Sequence, residues 1–488
     1  MSAQEIANKL WNLCNVLRDD GVTYHEYLNE LTYILFLKLS EVKGFSDQIP
    51  EEYQWQYFVK EHDNNKAFAR YREFLATVSV STKTRSQSIR EIYSNASTSL
   101  RKPVNFRSLI IAIDKLDWYE ENDRDVMGDI YETLLEKNAG EKKSGAGQYF
   151  TPRPLINIMV DLMVPKLGER WTDPAAGTFG FMISADHYLR SKTDSYFHLS
   201  EKDRHFQTTQ AFSGVELVPD AHRLALMNAR LHGMESTIYL NDTLTEFGKN
   251  LKDFDGVLAN PPFGTKQGGE RPTRDDFTFP TSNKQLNFLQ HIYRSLKKDG
   301  KARAAVVLPD NVLFEDGDGQ KIRRDLMDKC NLHTILRLPT GIFYAAGVKT
   351  NVLFFTREKT EINNTKNVWF YDMRTNAPSY GKRTPFTEKA FEDFVFAYTG
   401  GISFDKVEAE YDGLVSDEKR KTIKDKRWQS ISRAEIEKKN FSLDLGLIAD
   451  SSLTNSDDLG EPIDIAKEAL LELQSITEQL NAMIKELK

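Results

Sequence analysis

Hydrophobic positions divide the chain into three stretches of different texture. Up to about residue 145 apolar side chains recur at helical spacing, as in Leu31, Ile34, Leu35 and Leu39, and again in Val126, Ile130, Leu134 and Leu135. No strong β-branched alternation interrupts them, so a helical N-terminal domain over 1–145 is expected. Beyond it, short apolar runs alternate with helical stretches such as 221–231 and 285–296. The runs at 211–217, 237–240, 254–259, 302–308, 333–338, 351–356 and 368–371 predict strands of a mainly parallel sheet with helices on both faces. Ligands of such sheets lie beyond the carboxyl ends of the strands, which is where the chemistry is expected. This gives an α/β domain over 146–400 and a C-terminal extension over 401–488.

The extension holds two patterns. Residues 412–427 are rich in charge and are expected in solvent. Ala466, Ala469, Leu473, Ile476, Leu480, Met483 and Leu487 then alternate steps of three and four, the a/d seam of a coiled coil, with Pro462 and Asp464 as a start signal. A helix packed on its own domain would show the same stripe. A terminal seam with this period suits a partner's helix better, so a partner-binding helix over about 464–488 is expected.

Composition narrows the class. At 40% hydrophobic and 28% charged residues the chain suits a globular protein with a sizeable core. No apolar run reaches the ~18 residues of a membrane span, and the N-terminus lacks the layout of a signal peptide. The two cysteines, Cys14 and Cys330, are far apart, which argues against a disulfide framework or a cysteine-based zinc site. A cytoplasmic location, no membrane contact and no metal are expected. The charge balance is acidic, 65 − 72 = −7. If the ligand is a nucleic acid, another chain is expected to supply much of the phosphate binding.

Three acids follow three strand candidates. Asp173 heads the glycine-bearing turn DPAAGTFGF at 173–181, which lacks both a Gly-Lys-Ser/Thr ending and a strict GxGxxG. An acid there suits an α-ammonium better than a phosphate. Glu216 closes the next strand, where a carboxylate can accept from both ribose hydroxyls; a polar insertion at 191–210 lengthens the spacing between the two. Asp242 closes the third. One such acid alone is commonly a helix N-cap. Three in order, with the glycine turn, form the layout for an adenosyl group joined to an amino acid.

Directly after the apolar run FDGVLA comes Asn260-Pro261-Pro262-Phe263. A proline-stiffened turn accounts for the prolines but not for the Asn or the Phe. An adenine amino nitrogen is a poor nucleophile because its lone pair is delocalised into the ring. Two acceptors aimed at its hydrogens, the Asn260 side-chain oxygen and the Pro261 carbonyl, would favour the pyramidal form that attacks a methyl donor. The prolines would hold both acceptors in place. Phe263 would stack on the base, which must then leave the duplex.

In this order the motifs resemble the amino-group class of DNA methyltransferases. More narrowly, AGQYFTPRPLI at 146–156, GVELVPDAHRLALMNARLHG at 214–233, VVLPDNVLF at 306–314, LPTGIFYAAGVKTNVLFF at 338–355 and LNELTYILFLKLSE at 28–41 are similar to the modification (M) subunit of type I restriction–modification systems. The resemblance implies a Rossmann-like S-adenosylmethionine-dependent methyltransferase domain and methylation of adenine N6 in DNA. It implies that Gln148, Tyr149, Phe150, Thr151, Pro152 and Arg153 line the cofactor site. Asp173 and the backbone of Thr178, Phe179 and Gly180 would hold the methionine part, Glu216 the ribose, and Asp242 or its neighbour Asn241 the adenine edge. Asn260, Pro261, Pro262 and Phe263 would bind and activate the target. The family usually has a smaller residue than Phe179, a departure expected to reshape the pocket. Implied partners are double-stranded DNA with a flipped adenine, a specificity (S) subunit that also brings in a second M subunit, and a restriction (R) subunit. The alternatives are a methyltransferase acting on protein amides or RNA guanine, a stand-alone adenine methyltransferase, and a non-catalytic scaffold. Phe rather than Tyr at 263, the little chain left for a recognition domain, and the intact acid set weigh against them in turn.

Overall fold

The computed structural model describes residues 3–13, 24–116, 118, 133–134, 151–263, 274–339, 341–343, 349–375, 377–378, 380, 384–413 and 417–444. Gln148, Tyr149, Phe150, most of the segment joining the helical region to the sheet, and the heptad seam lie outside them.

Described residues before 117 form helices and turns and contain no strand. The helix Tyr24–Val42 buries Leu31, Ile34, Leu35 and Leu39 in one core with residues of Asn64–Thr77 and Pro103–Asp114. Glu30 is buried among them and accepts from Tyr71 Oη at 2.7 Å, Thr98 Oγ1 at 2.8 Å and the Ser99 N–H at 2.8 Å. Burial raises its pKa above the usual carboxylate value even with these donors.

The rest of the described chain is built on one nine-stranded sheet, ordered β3-β2-β1-β4-β5-β7-β6-β8-β9. The strands are β1 Trp171–Asp173, β2 Phe212–Glu216, β3 Thr237–Leu240, β4 Gly256–Ala259, β5 Arg303–Pro309, β6 Cys330–Arg337, β7 Thr350–Arg357, β8 Asn367–Asp372 and β9 Trp428–Ser432. The first five in this order are parallel to one another; β7 enters antiparallel between β5 and β6. The order reverses at β1, which lies between β2 and β4. That is the switch point at which open α/β sheets bind ligands.

The β1–β4 contact is tight. A Cβ on Gly256 would lie 2.2 Å from the Trp171 ring, so only glycine lets β4 approach this indole. The Arg303 guanidinium sits 4.8 Å from the Trp171 ring and pairs with Glu169, which also accepts from Trp171 Nε1 at 3.0 Å. The helix Pro219–Leu231, which follows β2, carries the contacts to the helical region: Arg223 donates to the carbonyls of Ile92 and Ser94, and Arg230 to Gln48.

One expectation holds for most of the described residues but not all, for a physical reason. The charge-rich run was expected in solvent, yet Arg420 is buried, donates to the Tyr398 carbonyl at 3.0 Å and covers the Tyr398 ring. Directly after the run, β9 pairs with β8, and Trp428 stacks on Trp369 at 4.9 Å and 12°. A division at residue 400 therefore cuts through the sheet. Among the described residues no helix is long and apolar enough to cross a membrane, and no group of acids, histidines or cysteines could hold a metal.

Gly256→Val should lower thermal stability by about 1–3 kcal/mol, the cost of overpacking. Denaturant unfolding checks this; an unchanged midpoint would show that β1 and β4 can separate freely.

Candidate active site

At the carboxyl ends of β1, β2, β3 and β4 the chain encloses a cavity of about 290 Å³. Thr151, Arg153, Asp173, Gly177, Thr178, Gly180, Glu216, Asn241, Asp242, Asn260 and Pro262 line it. The motifs read separately along the sequence thus converge on one space.

Asp173 is buried at the end of β1 and accepts from the Ala175 N–H at 3.0 Å. Burial pushes its pKa up to about 8, and the neighbouring Glu216 carboxylate adds to the rise. Glu216 is held by backbone alone: the Gly177 N–H at 2.9 Å and the Val218 N–H at 2.8 Å. Its pKa is raised as well, by burial, against the lowering effect of these donors. The glycine turn is pinned from both sides, by Asn228 Nδ2 on the Thr178 carbonyl at 3.0 Å and by Thr243 Oγ1 on the Pro174 carbonyl at 2.6 Å. In the third loop Asp242 accepts from the Leu244 N–H at 2.8 Å, and Asn241 Oδ1 accepts from the Asp242 N–H at 2.8 Å.

Phe179 departs from expectation. It sits at φ +68° before the helix Gly180–Lys192, and its N–H donates to the Ala176 carbonyl at 2.7 Å, so this donor is already engaged. The ring is fully buried against β2 and is absent from the cavity lining. A Cβ on Gly214 would fall 2.9 Å from the Phe179 ring and 2.9 Å from Ala176 Cβ. The missing side chain at 214 makes room for the large one at 179, which packs away from the cavity lining. Pro152 likewise does not line the cavity; it caps the helix Arg153–Met163.

Asn260 leaves the end of β4 with its amide held at one end. Nδ2 donates to Thr151 Oγ1 at 3.1 Å, while Oδ1 is buried with no hydrogen-bond partner. The Pro262 carbonyl accepts from Gln285 Nε2 at 2.8 Å, which anchors the turn to the next helix. Pro261 is buried. Phe263 is half-buried and meets Phe343 edge-on, with centroids 6.3 Å apart and planes at 83°.

Sequence reasoning missed Lys284 and Phe288, which line the cavity from the helix Lys284–Ser295. Their spacing of four places both on one face, and a helix in this stretch was expected. Which face it would turn to the cavity was not readable. Phe288 packs in a small cluster with Leu244, Phe277 and Ala175, forming an apolar wall beside Asp242.

The family model described as N-6 DNA Methylase matches residues 122–457, more than half of the chain. The chain belongs to the N-6 DNA methylase family. The chain is 44% identical to the type I restriction enzyme StySPI methylase subunit of Salmonella potsdam, over 100% of this chain and 96% of that one. It is also 44% identical to the EcoKI methylase subunit of Escherichia coli (strain K12), with the same coverage. The crystal structure of the EcoKI M protein aligns at 40% identity and a TM-score of 0.55, covering 99% of this chain and 96% of that chain. A chain solved in work on complex assembly and conformational transition of the type I R-M system aligns at 26% identity and a TM-score of 0.73 over 100% of both. Within the family, the chain is a type I methylase subunit.

The buried acid gives a prediction for the ligand-free N-6 DNA methylase. Asp173 ionises near pH 3.8 in the unfolded chain but only near pH 8 when folded. Its contribution is therefore absent below about pH 3.8 and becomes increasingly destabilising as pH rises towards about 8. Asp173→Asn, which keeps the acceptor for Ala175, should raise Tm at pH 7 by roughly 2–5 °C, and the gain should vanish in acid. A lower Tm at pH 7 would show that the carboxylate is needed for folding.

Proposed function

We propose that the cavity binds S-adenosylmethionine and a flipped adenine side by side, and that the chain methylates adenine N6 in double-stranded DNA at sites chosen by a separate specificity subunit. One observation carries this reading: Asn260, whose buried Oδ1 has no hydrogen-bond partner, lines the same cavity as two buried carboxyl groups that have no paired cation among the described residues. An unsatisfied buried acceptor costs free energy, and a base bearing an amino group would relieve it.

The residues present fit the cofactor. Asp173 would take its α-ammonium, Glu216 its ribose hydroxyls, and Asp242 or Asn241 the adenine edge beside Phe288. Thr178 and Gly180 would face the methionine part from the glycine turn. When bound, S-adenosylmethionine supplies an electrophilic methyl group. Asn260 Oδ1 and the Pro261 carbonyl would accept the two N6 hydrogens and leave the nitrogen lone pair pointing at that methyl. The acceptors are fixed before the base arrives, so little reorganisation is needed during reaction. Phe263 would stack on the extruded base. Gln148, Tyr149 and Phe150, just before Thr151, would complete the wall. The acidic net charge suits a subunit whose DNA sequence is read by another chain. The heptad seam would pack on that specificity subunit, which would join two methylase subunits, with a restriction subunit adding to the full complex.

Asn260→Ala should leave cofactor affinity within about twofold and lower the methylation rate by at least ~100-fold, the scale for one preorganised polar group. Calorimetry with S-adenosylhomocysteine and single-turnover kinetics on DNA separate the two. A parallel loss of affinity would make Asn260 structural. Truncation before Pro462 should spare cofactor binding and weaken assembly with the specificity subunit; a truncated chain that unfolds would assign the seam to the protein's own core.

A further inference from the structure

An asparagine amide has nearly the same shape either way round, but only one orientation activates an amino group. With Oδ1 towards the base it accepts a hydrogen from N6; with Nδ2 there, two donors face each other. Something must therefore distinguish the two ends of Asn260 before the base arrives. Neither strand β4 nor the prolines can do so, since they fix the backbone and not the amide rotation.

We propose that Thr151 is a positioning residue for methyl transfer, and that its hydroxyl oxygen fixes the rotation of the Asn260 amide with Oδ1 aimed at the target amino group. The inference rests on the reading of the cavity given above. Thr151 Oγ1 lies 3.1 Å from Asn260 Nδ2, while Oδ1 is left buried and unpartnered. Both residues line the same cavity. If the amide turned over, the hydroxyl could donate to Oδ1, but Nδ2 with its two hydrogens would be the buried group without a partner, which is tolerated less well than an unpartnered carbonyl oxygen. Thr151 is itself held in place, because the next residue, Pro152, caps the helix Arg153–Met163, which packs across the sheet with Leu155, Ile158, Met159 and Leu162 buried. A residue far upstream in sequence thus sets the polarity of the group that follows β4. Lining the cofactor wall, the role that family resemblance implies for Thr151, would not require its oxygen to meet Asn260.

The test uses the full chain assembled with its specificity subunit and DNA. It compares Thr151→Val, which keeps the shape and removes the acceptor, with Thr151→Ser, which keeps the acceptor. Thr151→Val should lower kcat for methyl transfer by about tenfold or more and leave the Kd for S-adenosylhomocysteine within twofold. Thr151→Ser should keep kcat near wild type. In an Asn260→Ala background, adding Thr151→Val should cause no further loss, because there is then no amide to orient. Three results would overturn the proposal: kcat within twofold of wild type in Thr151→Val, a loss that recurs in full on top of Asn260→Ala, or a loss of S-adenosylhomocysteine affinity matching the loss of kcat. If Asn260→Ala itself keeps its rate, the reading of the cavity fails instead, so the two failures are distinguishable.

Discussion

Two carboxyl groups are withdrawn from water at the ends of adjacent strands, and among the described residues no cation pairs with them. Asp173 and Glu216 are held by backbone N–H groups of the two turns they begin, and burial raises both pKa values. Such an arrangement costs stability in the free protein. It persists because the surrounding turns are overdetermined: Asn228 and Thr243 hold the glycine turn by its carbonyls, and Gly256 against Trp171 sets how closely β1 and β4 approach. In the proposed reading the cost is recovered when S-adenosylmethionine brings the missing cation and hydroxyls.

The same logic extends to the acceptor side. Asn260 is satisfied at its donor end by Thr151 and unsatisfied at its acceptor end. The Pro262 carbonyl is tied to Gln285, so the backbone of the turn is fixed from the helix behind it. Polar groups of the cavity are thus either locked to the scaffold or left waiting for a partner, the condition under which electrostatic preorganisation is effective.

Local patterns were readable wherever the cause was local. Apolar runs marked seven strands to within a few residues, because strands buried on both faces have near-continuous hydrophobic sequences. The three acids and Asn260 were found because each stands next to a strand end. What was not readable depended on contacts far apart in the chain. Phe179 looked like a perturbation of the pocket, because the space that accepts it is created by Gly214 on another strand. Most described residues of the run before β9 are exposed as expected, but the burial of Arg420 within it was not readable, because it depends on Tyr398, and β9 itself is anchored by Trp428 on Trp369. The hydrogen bond from Asn260 to Thr151 joins residues 109 positions apart. Lys284 and Phe288 were missed because periodicity identifies a helix but not the element it faces.

The central claim is that one cavity holds a methyl donor and a DNA adenine, with site choice left to a second chain. The most direct measurement is transfer of labelled methyl from S-adenosylmethionine to DNA, by the purified chain alone and with its specificity subunit, followed by identification of the modified base. The account predicts N6-methyladenine only when both chains are present. Sequence-specific transfer by the chain alone, or label on another base, would contradict it.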